Sequence, residues 1–312
     1  MSIKQSDVEA LYARTESGSG VLRDPGVAHL TVNHNKILSS HTLEGLEVDA
    51  KEIEDGVDVR LVLRRGVRIA KTVHMCFGMT ASEGVQRIKM RVELEENSGI
   101  AVLAHCVFPN AVDVEHIMDA VIEIGEGARY FYLEKHVHGE RGGVKVYPKA
   151  AVRLAKAAEF KTEFELLHGK VGLIDVDYET TCEAESLMDV TARINGIEDD
   201  VIKISETGHL VGESARGALT SKIAVSGRAK AEVRNKLTAS AAHARGHVDC
   251  KEIVRDQATA TAVPIVEVSH PKAHVTHEAA IGSVDTKQLE TLMSRGLDED
   301  EASDLIIQGL LS

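Results

Sequence analysis

Large aromatic side chains are scarce in this 312-residue chain, which has no Trp and only 3% Phe, Trp and Tyr together. Hydrophobic residues still make up 43% of the sequence, so the core must be filled mainly by Val, Ile, Leu and Ala. Small, mostly branched side chains suit closely stacked strands. The composition therefore favours β structure built in narrow layers.

Basic clusters are also missing: the formal net charge is -13, and only short runs such as Arg64-Arg65 occur. Phosphate backbones require clustered Lys and Arg, so the composition argues against a nucleic-acid surface. No apolar run approaches the ~20 residues that cross a bilayer. The N-terminal sequence lacks the basic-then-apolar order of a secretion signal. We expect a cytoplasmic protein with no nucleic-acid or membrane partner.

Cysteine is sparse as well, because Cys76, Cys106, Cys182 and Cys250 are far apart and form no CxxC pair. This spacing is not typical of a disulfide-stapled secreted domain or a structural zinc site. A free cysteine is usually a small core residue. We therefore expect most of these thiols to be buried and unreactive.

Motifs of the common enzyme classes are absent from the sequence. It contains no P-loop, no GxSxG elbow, no HExxH and no glycine-rich dinucleotide fingerprint after a strand. We expect a protein that is not itself an enzyme. If it takes part in an ATP-driven process, another subunit must supply the ATPase.

The hydrophobic pattern changes period along the chain. Residues 5–15 have helical spacing, whereas "GVDVRLVLRR" and "QRIKMRVELEE" alternate apolar and polar residues as strands do. This alternation recurs between Gly, Asn and Asp turn signals up to about residue 282, which favours the stacked coils of a β-solenoid. The predicted segments are 1–45, N-terminal helical or irregular; 46–282, β-helix core; and 283–312, C-terminal helical hairpin.

The C-terminal segment is predicted to form two helices joined at Gly296, with Asp298 and Glu301 as a capping box. Its apolar residues are candidates for partner binding: Leu289, Leu292 and Met293 on the first helix, Leu305 and Ile306 on the second. The hairpin could cap the open end of the solenoid. It could equally dock in a groove of another protein. Composition leaves both interpretations open.

Two neighbouring stretches carry ligand-type residues, "HARGHVDCKEIV" around Cys250 and "KAHVTHEAAIG" with His277 and Glu278. Alternation places His247 and Cys250 on opposite faces of one strand. Cys250 could still meet His277 or Glu278 from a neighbouring coil, and thiolate, imidazole and carboxylate are ligands for iron. The alternative is a core cysteine beside a solvated strand end.

Other histidines have chelating spacing. His136 and His138 are two residues apart, and His105 adjoins Cys106. Such pairs could chelate zinc, but spacing identifies no third ligand, so we interpret them as surface or packed histidines. A metal-dependent hydrolase on a β-helix is a further hypothesis, which the missing enzyme motifs disfavour.

The C-terminal third resembles the core of SufB and SufD, scaffold subunits of the Suf iron–sulfur cluster assembly system. The resemblance rests on "P-x-[IV]-x-E" at Pro264–Val268, "A-x-V-x-HEA" at Ala273–Ala279 and "RG-[LI]-x-x-x-x-A-x-x-[LI]-I-x-G" from Arg295 to Gly309. It covers about residues 190–312 and is closest to the compact form of the family. It implies a right-handed parallel β-helix with short helical ends.

The resemblance also implies a function. The hairpin would dock on SufC, an ABC-type ATPase that handles the ATP, and the scaffold would pair with itself or with a paralogue to assemble a transient iron–sulfur cluster. Cys250 matches the family's scaffold cysteine, and His277 and Glu278 match two residues of its Glu-His-Glu metal-ligand cluster. Thr276 replaces the first acidic residue. A SufD-like structural adaptor without a cluster site is the alternative.

Overall fold

The computed structural model describes residues 3–312, with side chains from residue 7 onward. In this range the α-helices lie near the termini, and they are α1 Ile3–Tyr12, α2 Thr286–Met293 and α3 Glu299–Leu311, with a 3₁₀ turn at Ser19–Arg23. The first strands are β1 His29–Asn33, β2 Lys36–His41, β3 Leu46–Ile53, β4 Gly56–Leu63, β5 Val73–Gly78, β6 Glu83–Leu94, β7 Gly99–Phe108, β8 Asp113–Ile124 and β9 Arg129–His138. The remaining strands are β10 Val144–Leu154, β11 Glu159–Leu166, β12 Leu173–Cys182, β13 Leu187–Gly196, β14 Val201–Leu210, β15 Arg216–Val225, β16 Lys230–Ala239, β17 Arg245–Val254, β18 Thr259–Val268 and β19 His274–Gly282.

These strands form two facing sheets that the chain visits alternately. Sheet 1 has the order β19-β17-β15-β13-β11-β9-β7-β5-β1-β2, and sheet 2 has the order β18-β16-β14-β12-β10-β8-β6-β4-β3. From β4 to β17 each strand pairs in parallel with the strand two places ahead, which gives about eight turns. The prediction of a mainly β, parallel β-solenoid is therefore confirmed.

The solenoid repeats in its backbone conformation. A residue with left-handed φ recurs every 28 to 31 residues at one corner, and these residues are Gly66, Asn97, Gly127, Ala157, Glu185, Ser214 and His243. Glycine adopts this conformation most easily, and other residues do so at a cost of about 1–2 kcal/mol. Since several residue types occupy the corner, the sequence shows no strict repeat.

Side chains alternate between the interior and the solvent along each strand. The inward positions are filled mainly by Val, Ile, Leu, Ala and Met, which form one continuous core through the solenoid. This filling agrees with the low aromatic content. A smaller group of inward positions is polar, and it includes His116, Glu134, His136, Glu206, Asn235 and Glu252. Because buried polar groups require partners, these residues must hydrogen-bond or bind a ligand inside the core.

The two ends of the solenoid differ. At the N-terminal end β1 pairs with β2, and β3 with β4, as antiparallel hairpins, and Leu11 of α1 packs with Cys76 and Val107. At the C-terminal end β18 and β19 are the edge strands of their sheets. In the part of the chain that the structure describes, no strand pairs with their outer edges. This end is open and carries exposed apolar residues such as Val268 and Ile281.

The predicted hairpin is present, with the Asp298–Glu301 capping box before α3 and a φ of 101° at Gly296. Ile307 and Leu311 pack against Ala224 on the wall of the solenoid. The hairpin thus lies along the wall, and the outer edges of β18 and β19 stay unpaired. Among residues 3–312, no helix is long and apolar enough to span a bilayer.

Candidate functional site

Cys250 lies inside the solenoid, one strand from its open end. The alternation of β17 turns Val248, Cys250 and Glu252 inward, and the Cys250 side chain has no exposed surface. Asn235 Nδ2 lies 3.9 Å from Cys250 Sγ. Ser221 pairs in register with Cys250 and is likewise buried on the inward face. The cysteine therefore sits in a polar pocket of an otherwise apolar interior.

Two carboxyl groups share this pocket. Burial raises the pKa of Glu206 to about 8, and burial with the Asp249 charge raises that of Glu252 to about 7. Ser221 Oγ donates to Glu252 Oε1 at 3.4 Å, while one oxygen of each carboxyl group has no partner. Burial likewise raises the pKa of the Cys250 thiol. The raised pKa favours the neutral thiol in this pocket, so Cys250 must give up its proton when it binds a metal.

Glu278 lies on the opposite face of the same sheet. It pairs in register with Asp249, and ligand atoms of His247, Asp249 and Glu278 lie within 4.8 Å of one another. Thr276 Oγ1 lies 2.8 Å from His247 Nδ1 and orients the imidazole ring. Lys251 Nζ, 2.8 Å from Asp249 Oδ2, partly neutralises the group. An imidazole and two carboxylates on the outer face can bind a cation.

His277 occupies a third position. It pairs in register with Val248 and so belongs to the same face as Cys250, but it is exposed at the open end. The structure therefore places Cys250 and His277 on the inner face and Glu278 on the outer one. Within residues 7–312, Cys250 belongs to no group of three ligand atoms at metal-binding separation. A single chain does not bring the three predicted ligands together.

The candidate partner-binding residues lie around a groove of about 1140 Å³ between the terminal strands and the hairpin. Leu292, Leu305 and Ile306 line this groove, together with Glu252 at its solenoid side. On α2, Leu289 is half-buried and Met293 is exposed. Glu252 thus borders both the groove and the pocket that holds Cys250.

Sequence reasoning missed the polar neighbours of Cys250. A signal was present, because in "VIKISETGHL" Ile202, Ile204 and Glu206 occupy alternate positions, so Glu206 stands where an apolar residue is expected. Asn235 in β16 and Glu252 in β17 break their strands' inward patterns in the same way. A polar residue on the inward side of an amphipathic strand is the pattern that identifies this pocket.

Comparison with known proteins gives consistent matches along the chain. A family model described as "SUF system FeS cluster assembly, SufBD core domain" matches residues 77–310. An iron–sulfur cluster assembly SufBD family protein of Methanocaldococcus jannaschii is 35% identical over 314 residues, which cover 100% of this chain and 99% of that protein. A SufBD family protein of Pyrococcus horikoshii is 31% identical over 285 residues, 91% of this chain and 87% of that protein.

Proposed function

Because the chain belongs to the SufBD family of iron–sulfur cluster assembly proteins, we propose that it is a scaffold subunit on which clusters are built. The observation that carries this proposal is the Cys250 thiol, buried beside Glu206 and Glu252 one strand from the open end. On opening, the neutral thiol would lose its proton to the water that enters and bind iron as a thiolate. The cluster is cargo that the protein assembles and passes on.

A SufC-like ABC-type ATPase would bind the hairpin and supply the motion. Leu292, Leu305 and Ile306 line one groove, and Leu289 and Met293 extend the same helices. Only a short linker separates the end of β19 at Gly282 from the start of α2 at Thr286. Movement of the hairpin during ATP-driven closure would therefore displace β19 and uncover Cys250 on β17.

A second scaffold subunit would complete the ligand set, and we propose a homodimer, with a paralogue as the other pairing. The uncovered edges of β18 and β19, with Val268 and Ile281 exposed, offer backbone and apolar surface to another copy. Cys250, His277 and Glu278 all lie on β17 or β19 at this end. Pairing there would bring ligands of two chains together at one interface. Within one chain the ligands face opposite sides of the sheet and do not meet.

A SufD-like adaptor without a cluster site is the second candidate. Thr276 stands where the family cluster has an acidic residue, and its hydroxyl contacts His247 instead. Glu278 also faces away from Cys250. Both observations fit a subunit that pairs with a cluster-bearing paralogue and recruits the ATPase.

Anaerobic reconstitution of the full chain with iron and sulfide, alone and with the ATPase, tests the scaffold proposal. We expect a thiolate-to-iron absorption band that Cys250→Ala abolishes while ATPase binding persists. Cys182→Ala, at another buried thiol, is the control and should retain the band. Equal cluster yields in Cys250→Ala and parent would remove the proposed role. A parent that binds the ATPase but forms no cluster would favour the adaptor.

A further inference from the structure

A second polar cluster lies deep in the interior, on the neighbouring strands β7 and β9 of sheet 1, which belong to successive turns. Cys106 Sγ is 3.9 Å from Glu134 Oε1, and that oxygen is 2.8 Å from His136 Nε2. All three side chains are buried, and their ligand atoms lie within 4.8 Å of one another. Three different ligand types thus converge at one point, far along the chain from Cys250.

His116 supplies an independent observation. It is 1% exposed, and neither of its ring nitrogens has a hydrogen-bond partner. The ring faces the cluster from sheet 2, with its centroid 6.0 Å from that of His136 and 5.0 Å from that of Phe108. A buried imidazole with no partner is costly, so this side chain indicates a ligand that the protein atoms do not provide.

We propose that Cys106, Glu134 and His136 form an internal site for a single divalent transition-metal ion such as Zn²⁺ or Fe²⁺, and that the His116 ring, which lies outside the 4.8 Å group, turns toward the ion as the fourth ligand. Thiolate, carboxylate and imidazole are the ligand types of tetrahedral zinc, and ferrous iron accepts the same set. Typical metal–ligand bond lengths place tetrahedral ligand atoms roughly 3.3–3.7 Å apart. The separations of 3.9 and 2.8 Å around Glu134 Oε1 need only small adjustments.

Groups behind the ligands orient them. The Tyr132 hydroxyl donates to Glu134 Oε2 at 3.1 Å, which leaves Oε1 directed at Cys106 and His136. His136 Nδ1 and His138 Nε2 are 3.1 Å apart, so His136 can place its proton on Nδ1 and offer Nε2 to a metal. On binding, the Cys106 thiol releases its proton to solvent.

Titration of the chelator-treated full chain with Co²⁺ alone tests the site. We expect one Co²⁺ per chain with a thiolate-to-metal charge-transfer band, lost in Cys106→Ser and kept in Cys182→Ser and Cys250→Ser. Keeping the band in Cys250→Ser separates this site from the proposed cluster site. No stoichiometric binding, a band that survives Cys106→Ser, or a band that disappears with Cys250→Ser would each overturn the proposal.

Glu134→Gln provides a second test in case Cys106→Ser does not fold, since it keeps the size of the side chain. We expect it to weaken Co²⁺ binding about tenfold or more. Zn²⁺ should raise the unfolding temperature of the parent more than that of Glu134→Gln, which keeps only the outer group of His247, Asp249 and Glu278. Equal stabilisation of both proteins would count against the site. Competition of Zn²⁺, and anaerobically of Fe²⁺, against bound Co²⁺ identifies which ion the site prefers.

Discussion

Cys250 and Glu278 lie on adjacent strands but face opposite sides of the same sheet. Cys250 pairs in register with Ala279 and points into the core, whereas Glu278 pairs with Asp249 and points outward. A parallel register fixes this relation, because residues paired in register share a face. Any ligand set that includes both residues therefore requires β19 to move or a second chain to contribute.

The first prediction concerns access to the Cys250 thiol. In pulsed maleimide labelling of the folded chain, Cys250 should react first of the four cysteines, since detachment of the edge strand β19 exposes it. Its labelling rate should depend only weakly on urea, as expected for a local opening, while Cys182 should label with the steep dependence of global unfolding. Mass spectrometry of the labelled peptides measures both rates. Identical urea dependences would show that β19 does not open separately.

Much of the fold was predictable because its causes are local. Alternation in segments such as "QRIKMRVELEE" indicates strands, the low aromatic content indicates narrow layers, and the Asp298–Glu301 box defines the start of α3. Where the hairpin would lie was not predictable. Ile307 and Leu311 meet Ala224 across more than 80 residues of sequence, and only the folded coils bring them together.

The candidate site was predictable in part. The period of a strand correctly separates Cys250 from His247, but it does not identify which residues of the next turn pair with them. The same limit applies to the internal cluster, because Cys106 and Glu134 belong to different turns. The spacing of His136 and His138 therefore identified no third ligand and led to their interpretation as surface or packed histidines, whereas the fold brings Cys106 and Glu134 beside His136.

The second prediction separates partner binding from stability on α3. Ile307 packs on the wall while Leu305 is 46% exposed. Ile307→Ala should destabilise the docking of α3 by about 2–4 kcal/mol, measured by hydrogen exchange of the helix. Leu305→Ala should change stability by less than about 0.5 kcal/mol and should weaken binding of the ATPase, measured by calorimetry. Unchanged ATPase affinity in Leu305→Ala would contradict a role for the groove in docking.

The third prediction concerns the dependence of stability on pH. Burial raises the pKa of Glu206 from 4.5 to about 8 in the folded chain, so folding favours the protonated form. Below about pH 4.5 the carboxyl group is protonated in both the folded and the unfolded chain, so it does not reduce the free energy of unfolding. As the pH rises from there to about 8, the unfolded chain loses the proton first. The free energy of unfolding therefore falls by a few kcal/mol in all across this range.

Glu206→Gln removes this titration. The variant should gain stability over the parent as pH rises from 5 to 8.5, and the difference should shrink in acid, as measured by urea unfolding at each pH. A difference that stays constant with pH would show that Glu206 does not bind a proton on folding. Glu179→Gln, at a solvent-exposed glutamate on β12, is the control and should show little change.

The last prediction compares two glycines at turns of the solenoid. Gly143 has a φ of 78°, and a Cβ there would lie 2.0 Å from the Val112 carbonyl oxygen. Gly127 has a φ of 65°, but a Cβ there would contact only the Asn97 side chain, at 2.7 Å. Ala157 occupies the next turn's equivalent of the Gly127 corner with a φ of 55°, so alanine is compatible with that corner. Gly127→Ala should therefore cost only about 1 kcal/mol. Gly143→Ala should cost roughly 3 kcal/mol or more, because the Val112 backbone must shift; equal urea midpoints for the two variants would contradict this account of the close approach.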